Sequence, residues 1–194
     1  MTADELDELL FDKFRLRRAD MLAALRTMPA IRPWAAELSE SEARLLDESG
    51  FTEDPDAYAQ AATDVLTHAA QLINTALSAA EAAAALGVNE SRVRQRRLAR
   101  TLWAIYDSGV WVFPSLQFES DPKTGKTKQI RGLDAVFAAL PHDLHPVAVA
   151  GFLRTPHPDL TISGRAVTPV DWLRSGGDVA PVLRLVEAAD WASK

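Results

Sequence analysis

The sequence contains no cysteine among its 194 residues. Disulfides, zinc–thiolate sites, iron–sulfur clusters and cysteine nucleophiles are therefore excluded, and this composition is typical of a reducing compartment. No apolar run approaches the roughly 20 residues that a membrane-spanning helix needs. The first ten residues are acidic and lack the basic segment that begins a secretory signal. We therefore expect a cytoplasmic protein with no membrane partner.

The sequence also lacks the short motifs that mark common enzymes. Residues 123–126 (KTGK) do not fit the phosphate-binding loop, and no G-x-S-x-G motif is present. His142 and His145 could place two imidazoles close together, but no third metal ligand accompanies them. We expect no catalytic residues, no metal site and no cofactor, and hence a protein that is not an enzyme.

Charge is unevenly distributed along the chain. The formal net charge is −6, yet residues 91–131 carry a net charge of +6, whereas residues 1–90 carry −10 and residues 132–194 carry −2. A basic segment on an acidic body indicates a localised surface that binds anions.

The first 76 residues are predicted to be helical. Apolar residues recur every three or four positions over residues 4–28, which predicts one amphipathic helix. A second helix starts at Ser39 or Ser41, and a third runs from Asp54–Pro55 to about Ala76. The apolar stripe of the first helix is the candidate contact of a homodimer; the alternative is that it packs within its own chain.

Residues 77–118 carry the pattern of a helix–turn–helix. Ser78 and Glu81 form the S-x-x-E capping box of a first helix, Gly87 permits a tight turn, and Asn89 caps a second helix. Val93 is expected to fill the angle between the helices. Residues 102–106 and 110–113 alternate like two short strands, which predicts a β-hairpin wing.

The second helix of this unit is rich in side chains that suit DNA. Arginine can bind guanine and glutamine can bind adenine through paired hydrogen bonds. The candidate DNA-binding residues are Ser91, Arg92, Arg94, Gln95, Arg96, Arg100 and Lys126. Arg96 and Arg97 occupy positions that are usually apolar, so we expect Leu98 and Leu102 to take over the packing. The alternative is a solvated arginine-rich helix in a plain helical hairpin.

The rest of the chain is predicted to form a linker and a small C-terminal domain. Residues 119–129 are polar and lysine-rich, which predicts a linker. Residues 130–194 are expected to fold as a domain with helices over 133–140 and 144–153, a strand pair over 161–167, and further helices after Thr168 and Asp178. The expected fold class is mainly α, with a helical N-terminal region, a helix–turn–helix with a short β-hairpin wing, and a mostly helical C-terminal domain.

Two parts of the chain resemble known families. Residues 77–118 resemble the helix–turn–helix and wing of excisionase-like and MerR-like DNA-binding domains. Residues 130–191 resemble the toxin-binding domain of the Xre/MbcA/ParS antitoxin family through FLRTPHPDL (152–160), GRAVTPVDWL (164–173), SGGD (175–178) and the helix 182–186. The match departs from the family pattern at residues 161–163, which are inserted, and between Arg165 and Pro169, where the spacing is one residue longer.

The second resemblance implies a type II antitoxin. Such a protein binds a cognate toxin from the adjacent gene, most often a RES-domain toxin that consumes NAD, and represses its own operon by binding operator DNA. The toxin-binding candidates are Arg154, Arg165, Trp172, Arg174, Gly176, Gly177, Asp178 and Trp191. For Trp172 and Trp191 the alternative is core packing. The alternative functions are a dimeric transcription regulator or segregation factor without a toxin, and a structural interaction module.

Overall fold

The computed structural model describes residues 3–27, 39–50, 55–107, 109–121 and 125–189. These residues are mainly helical and contain short two-stranded antiparallel sheets, so the predicted fold class is confirmed. The chain divides into two compact units, residues 1–71 and residues 72–194. In the described residues no helix is both long and apolar enough to cross a membrane.

The first unit is helical. It contains α1 (Ala3–Phe14), α2 (Arg18–Thr27), α3 (Glu40–Glu48) and most of α4 (Pro55–Asn74). Of the two serines predicted to start the second helix, Ser39 does so: its backbone N–H donates to the Glu42 carboxylate at 2.9 Å. Hydrogen bonds from the hydroxyl and backbone of Ser39 lower the pKa of Glu42. The predicted cap of α4 at Asp54 lies outside the described residues.

The prediction of one helix over residues 4–28 is wrong, because the chain breaks into α1 and α2. Arg15 adopts a left-handed conformation with φ of 56°, and Leu16 turns into the interior, where it is fully buried. The carboxylate of Asp20, itself buried, accepts hydrogen bonds from the backbone and guanidinium of Arg17. Burial of Leu16 and this ionic cap favour the break over a continuous helix. The apolar side chains that remain exposed are Leu9, Phe11, Phe14, Leu22 and Leu25.

The second unit holds the predicted helix–turn–helix, linker and C-terminal domain together. Its elements are α5 (Ala79–Leu86), α6 (Glu90–Leu98), β1 (Ile105–Asp107), β2 (Val110–Val112), a 3₁₀ turn (Ser115–Gln117), β3 (Phe118–Ser120), β4 (Thr127–Gln129), α7 (Leu133–Ala139), α8 (Pro146–Arg154), β5 (His157–Ile162), β6 (Arg165–Val167), α9 (Pro169–Arg174) and α10 (Val179–Ala188). Two apolar clusters support them. The smaller lies under α5, α6 and the β1–β2 hairpin, and the larger lies among α7 to α10.

The described ends of the predicted linker, residues 119–120 and 127–129, form paired strands, which corrects the prediction of a linker there. β3 and β4 pair antiparallel, with Glu119 opposite Lys128, and the two side chains form an ion pair at 3.2 Å. The other oxygen of the Glu119 carboxylate lies 3.9 Å from Arg174 on α9. The described lysines of this segment, Lys126 and Lys128, are exposed, and Glu119 links the strand pair to α9.

Helix α8 begins at Pro146, two residues later than predicted. Nδ1 of His145 accepts a hydrogen bond from the backbone N–H of Val147 at 3.3 Å, so this imidazole caps the helix. Burial lowers the pKa of His145, which favours the neutral ring that such an acceptor requires. His145 thus has a structural role at the helix start.

The side-chain amide of Gln117 is fully buried where the two apolar clusters meet. Its Oε1 accepts from the backbone N–H of Trp103 at 2.9 Å, and its Nε2 donates to the carbonyls of Trp103 and Pro114 at 2.8 and 3.1 Å. The backbone carbonyl of Gln117 accepts from the N–H of Ile130 at 3.0 Å. One residue therefore satisfies polar groups on three separate stretches of chain.

Replacing Gln117 with leucine should lower the free energy of unfolding by about 2–3 kcal/mol, because the amide and carbonyl of Trp103 lose their partners in a partly buried environment. The measurement is urea unfolding of the full chain followed by circular dichroism. Gln95→Leu, the same change on the exposed surface of α6, should stay within about 0.5 kcal/mol of the wild type. Equal midpoints for the two variants would contradict this role of Gln117.

Candidate nucleic-acid interface

The two helices and the turn predicted for residues 78–98 are confirmed. The Ser78 backbone N–H donates to the Glu81 carboxylate at 2.8 Å, and the Glu81 N–H donates to the Ser78 hydroxyl oxygen at 3.2 Å. The hydrogen bond from the Ser78 backbone has the larger effect in lowering the pKa of Glu81, and the hydrogen bond with the Ser78 side chain adds to it. Gly87 takes the left-handed conformation at the end of α5, with φ of 65°. Val93 is fully buried between the helices, as the sequence predicts.

The predicted wing is confirmed as the hairpin β1–β2. Ile105 pairs with Val112 on its inner side, and Tyr106 pairs with Trp111 on its exposed side. The first strand starts at Ile105 rather than Leu102, because Leu102 is buried in the smaller cluster. Leu77, just before α5, exchanges two backbone hydrogen bonds of 2.8 Å with Phe113, just after β2. The wing is therefore attached to the start of the helix–turn–helix.

Four of the predicted DNA-binding residues lie together on the exposed face of α6. This face is defined by Ser91, Arg92, Arg94 and Gln95, whose side chains are all exposed. Asn89 caps the helix by accepting from the backbone N–H of Arg92 at 2.8 Å. Nη1 of Arg92 donates to Oε1 of Gln95 at 3.2 Å. This hydrogen bond uses the amide oxygen of Gln95 and not its NH₂ group. The first turns of α6 thus present guanidinium, amide and hydroxyl groups to solvent.

Arg96 and Arg100, which the sequence analysis groups with these residues, lie away from this face and make hydrogen bonds within the second unit. The Arg96 guanidinium donates to the side-chain oxygen of Gln129 on β4, and Gln129 in turn donates to the carbonyl of Thr101 at 2.8 Å. The Arg100 guanidinium donates to the carbonyls of Leu140 and Pro141, at the end of α7. A cation at a helix C-terminus is favoured by the exposed carbonyls and the helix dipole. Both arginines therefore hold the second unit together.

The prediction that Leu98 packs in the interior is wrong, whereas the same prediction for Leu102 is confirmed. Leu98 is 64% exposed and Leu102 is 1% exposed. The position four residues after Val93 belongs to Arg97, which the sequence analysis did not select as a site. Its guanidinium lies 4.0 Å from the ring centre of Trp111 on the wing, a cation–π contact. The spacing from Val93 could have indicated that Arg97 faces the hairpin, since residues four apart share a helix face.

A groove of about 750 Å³ runs between the exposed face of α6 and the wing. Its walls include the first residues of α5, then Ser91, Arg94 and Arg97 of α6, and Trp111 of β2. Glu90 also lines it, so the groove has two guanidinium groups and one carboxylate. Lys126, the remaining candidate, is exposed beside β4.

Four of the toxin-binding candidates meet in the turn between α9 and α10. The half-buried indole of Trp172 donates from Nε1 to the carbonyl of Asp178 at 2.8 Å. The same indole lies over Gly177, where an added Cβ atom would be only 2.4 Å from the ring. Gly176 has φ of 93°, and its carbonyl accepts from the Arg131 guanidinium at 3.0 Å. The carboxylate of Asp178 caps α10 through the backbone N–H of Ala180, as predicted.

The other toxin-binding candidates are more scattered. Arg154 lies exposed at the end of α8, and Arg165 lies exposed on β6 of the confirmed strand pair β5–β6. Arg174 forms ion pairs with Asp171 and Glu119. Trp191 lies outside the described residues. Trp172 is half-buried and packs against the larger apolar cluster, as the core-packing alternative expects.

Comparison of the chain with models of protein families, with curated proteins and with solved structures finds no match. Among the residues that the structure describes, no three histidine, aspartate or glutamate side chains group as metal ligands would. Function is therefore proposed from the chain's own residues and from the resemblances seen in its sequence.

The division of the arginines can be tested without any partner. Arg100→Ala should lower the free energy of unfolding by about 1–3 kcal/mol, because the carbonyls at the end of α7 lose charged hydrogen bonds. Arg94→Ala, on the exposed face of α6, should change it by less than about 0.5 kcal/mol. Thermal and urea unfolding of the two variants measure the difference. A stable Arg100→Ala protein would return Arg100 to the set of possible DNA contacts.

Proposed function

We propose that the second unit binds DNA in a sequence-specific manner through α6 and the wing. The observation that carries the proposal is the sorting of side chains around α6. Val93 is buried, and Arg96 and Arg100 are engaged within the unit, while Ser91, Arg92, Arg94 and Gln95 are exposed. A helix built in this way is stable without DNA and keeps its exposed face for recognition.

The chemistry of the exposed face suits the major groove. An arginine can donate two hydrogen bonds to guanine O6 and N7, and a glutamine can bond adenine N6 and N7. We assign these roles to Arg94 and Gln95, which share one face of α6 with Ser91 through their spacing of three and four residues. Arg92 and Ser91 then serve as further base or phosphate contacts.

Arg97 is proposed as a phosphate contact. Within the described residues its side chain makes no ion pair and no hydrogen bond; it rests on the Trp111 ring at the edge of the groove. A guanidinium held in one place keeps its donors available for a phosphate oxygen at a reduced entropic cost. Lys126 is proposed as a second, weaker phosphate contact.

We propose further that the protein acts as a dimeric repressor. One helix–turn–helix contacts only a few base pairs, and proteins of this kind commonly read two half-sites through a twofold dimer. The exposed apolar side chains of α1 and α2, such as Phe11 and Leu25, are the proposed dimer contact.

The DNA proposal is tested on a site selected from a random duplex library by the full-length protein. Arg94→Ala and Gln95→Ala should each weaken binding to the selected site by about 1–3 kcal/mol, with little effect on unrelated DNA. Arg97→Ala should weaken binding to every sequence and reduce the slope of log affinity against log salt by about 1. Fluorescence anisotropy titrations at several salt concentrations give both quantities.

The control is Arg184→Ala, which removes the same side chain from the exposed surface of α10. It should leave affinity and salt slope unchanged. Selection that enriches no sequence, or an Arg94→Ala protein that binds as Arg184→Ala does, would reject the recognition role of α6.

For the C-terminal region we propose that it binds a cognate toxin, as its resemblance to the Xre/MbcA/ParS antitoxins implies. The motif segments 152–160, 164–173 and 175–178 correspond to α8, the β5–β6 hairpin, α9 and the turn before α10. These elements enclose one apolar cluster and expose Arg154, Arg165 and the edge of Trp172. The proposed partner is a RES-type toxin encoded by the adjacent gene. The alternative is a DNA-binding regulator or segregation factor without a toxin.

The antitoxin proposal predicts that the full chain copurifies with the product of the adjacent gene and restores growth when that product is toxic. The double change Arg154→Glu and Arg165→Glu should weaken this complex by about 2 kcal/mol or more, as loss of an interface anchor does. Arg184→Glu is the matched control, and melting temperatures confirm folding. A well-folded wild type that binds no product of the neighbouring gene would favour the regulator without a toxin.

A further inference from the structure

A second cavity lies on the other side of Arg97 and Trp111. It encloses about 270 Å³ between the end of α6, the segment before the wing, and helices α7 and α8. Its volume is just below the range of pockets that hold drug-sized molecules, so its occupant must be smaller than those.

The deep walls of this cavity are apolar. Leu102, Phe137, Leu140 and Val149 line it with side chains that are nearly fully buried. The indole of Trp103 stands beside the Phe137 ring, with 6.0 Å between the ring centres. Such walls favour a flat aromatic group, because aromatic rings pack well in offset or tilted contact.

The rim of the cavity is cationic. Arg97 and Arg100 both line it, and none of the described residues that line it is acidic. Arg100 already donates to the carbonyls of Leu140 and Pro141, whereas the Arg97 guanidinium makes no ion pair or hydrogen bond within the described part of the chain. Arg97 can therefore pair with a carboxylate in the bidentate geometry that guanidinium groups favour.

From the apolar walls and this rim we propose that the cavity binds a small aromatic carboxylate, with its ring against the apolar lining beside Trp103 and Phe137 and its carboxylate on Arg97. Because Arg97 and Trp111 also line the groove beside α6, an anion in the cavity competes with a DNA phosphate for the same guanidinium. This second step rests on the proposed DNA-binding function; the binding of the carboxylate does not. The ligand would then act as an inducer that releases the protein from DNA.

The first experiment titrates the full-length protein, without DNA, with 1-naphthoate by isothermal calorimetry. Saturable binding is expected, and the neutral analogue 1-naphthalenemethanol should bind at least about tenfold more weakly because it lacks the charge that Arg97 pairs. Arg97→Gln should weaken naphthoate binding by a similar factor. Arg94→Gln is the matched control, because Arg94 lines only the groove beside α6, and it should leave naphthoate binding unchanged.

A second variant fills the cavity. Leu144→Trp places a larger side chain at a half-buried position of the lining and should abolish naphthoate binding while the melting temperature stays close to that of the wild type. Absence of naphthoate binding to the wild type, equal binding of the neutral analogue, or equal losses in Arg97→Gln and Arg94→Gln would overturn the proposal.

The competition step is measured separately on the selected DNA site. Saturating naphthoate should lower the DNA affinity of the wild type about fivefold or more, and should leave that of Leu144→Trp unchanged. If naphthoate binds but DNA affinity does not fall, the competition is refuted. If no DNA binds at all, the proposed function fails while the calorimetry still decides the cavity.

Discussion

The buried amide of Gln117 is the interaction on which the arrangement of the second unit depends. The side-chain amide bonds both polar groups of the Trp103 backbone and the Pro114 carbonyl, and the backbone carbonyl of Gln117 accepts from the Ile130 N–H. Unpaired polar groups in such a place are costly, so the amide restricts the chain to one arrangement. The helix–turn–helix, the wing and the C-terminal helices therefore form one compact unit, where composition suggested two domains and a linker.

Local features of this fold were predictable because short-range chemistry determines them. The capping boxes, the left-handed Gly87 and the hairpin between β5 and β6 each depend on residues within a few positions of one another. The break between α1 and α2 was not predictable in this way. The apolar stripe that predicts one helix continues on both sides of residues 15–17, and the break is marked by the burial of Leu16 and Asp20, which the stripe does not include. The same holds for β3 and β4, whose polar side chains bond distant residues: Glu119 with Arg174, and Gln129 with Arg96 and Thr101.

The sequence predicted where the candidate site lies in the chain, but it predicted less well which side chains are exposed there. The Gly87 turn and the Asn89 cap located α6, and Gln95, two residues after Val93, lies on the opposite side of the helix from it. The partners of Arg96 and Arg100 lie 33 and 40 residues further along the chain, so no local pattern could indicate them. Arg97 was missed because its partner, Trp111, belongs to the wing. A run of arginines thus contains members with distinct physical roles, and its net charge overstates the charge available to a ligand.

The pairing of Leu77 with Phe113 has a consequence for folding. It closes a loop that contains α5, α6 and the wing, and closing a loop of that length costs about 3 kcal/mol of chain entropy. Two backbone hydrogen bonds do not offset such a cost alone, so the closure must form together with the burial of Val93, Leu102 and Phe113 in the smaller cluster. We infer that α6 and the β1–β2 hairpin order and disorder as one cooperative segment. Hydrogen exchange in α6 and in β1–β2 is therefore expected to report a single opening event.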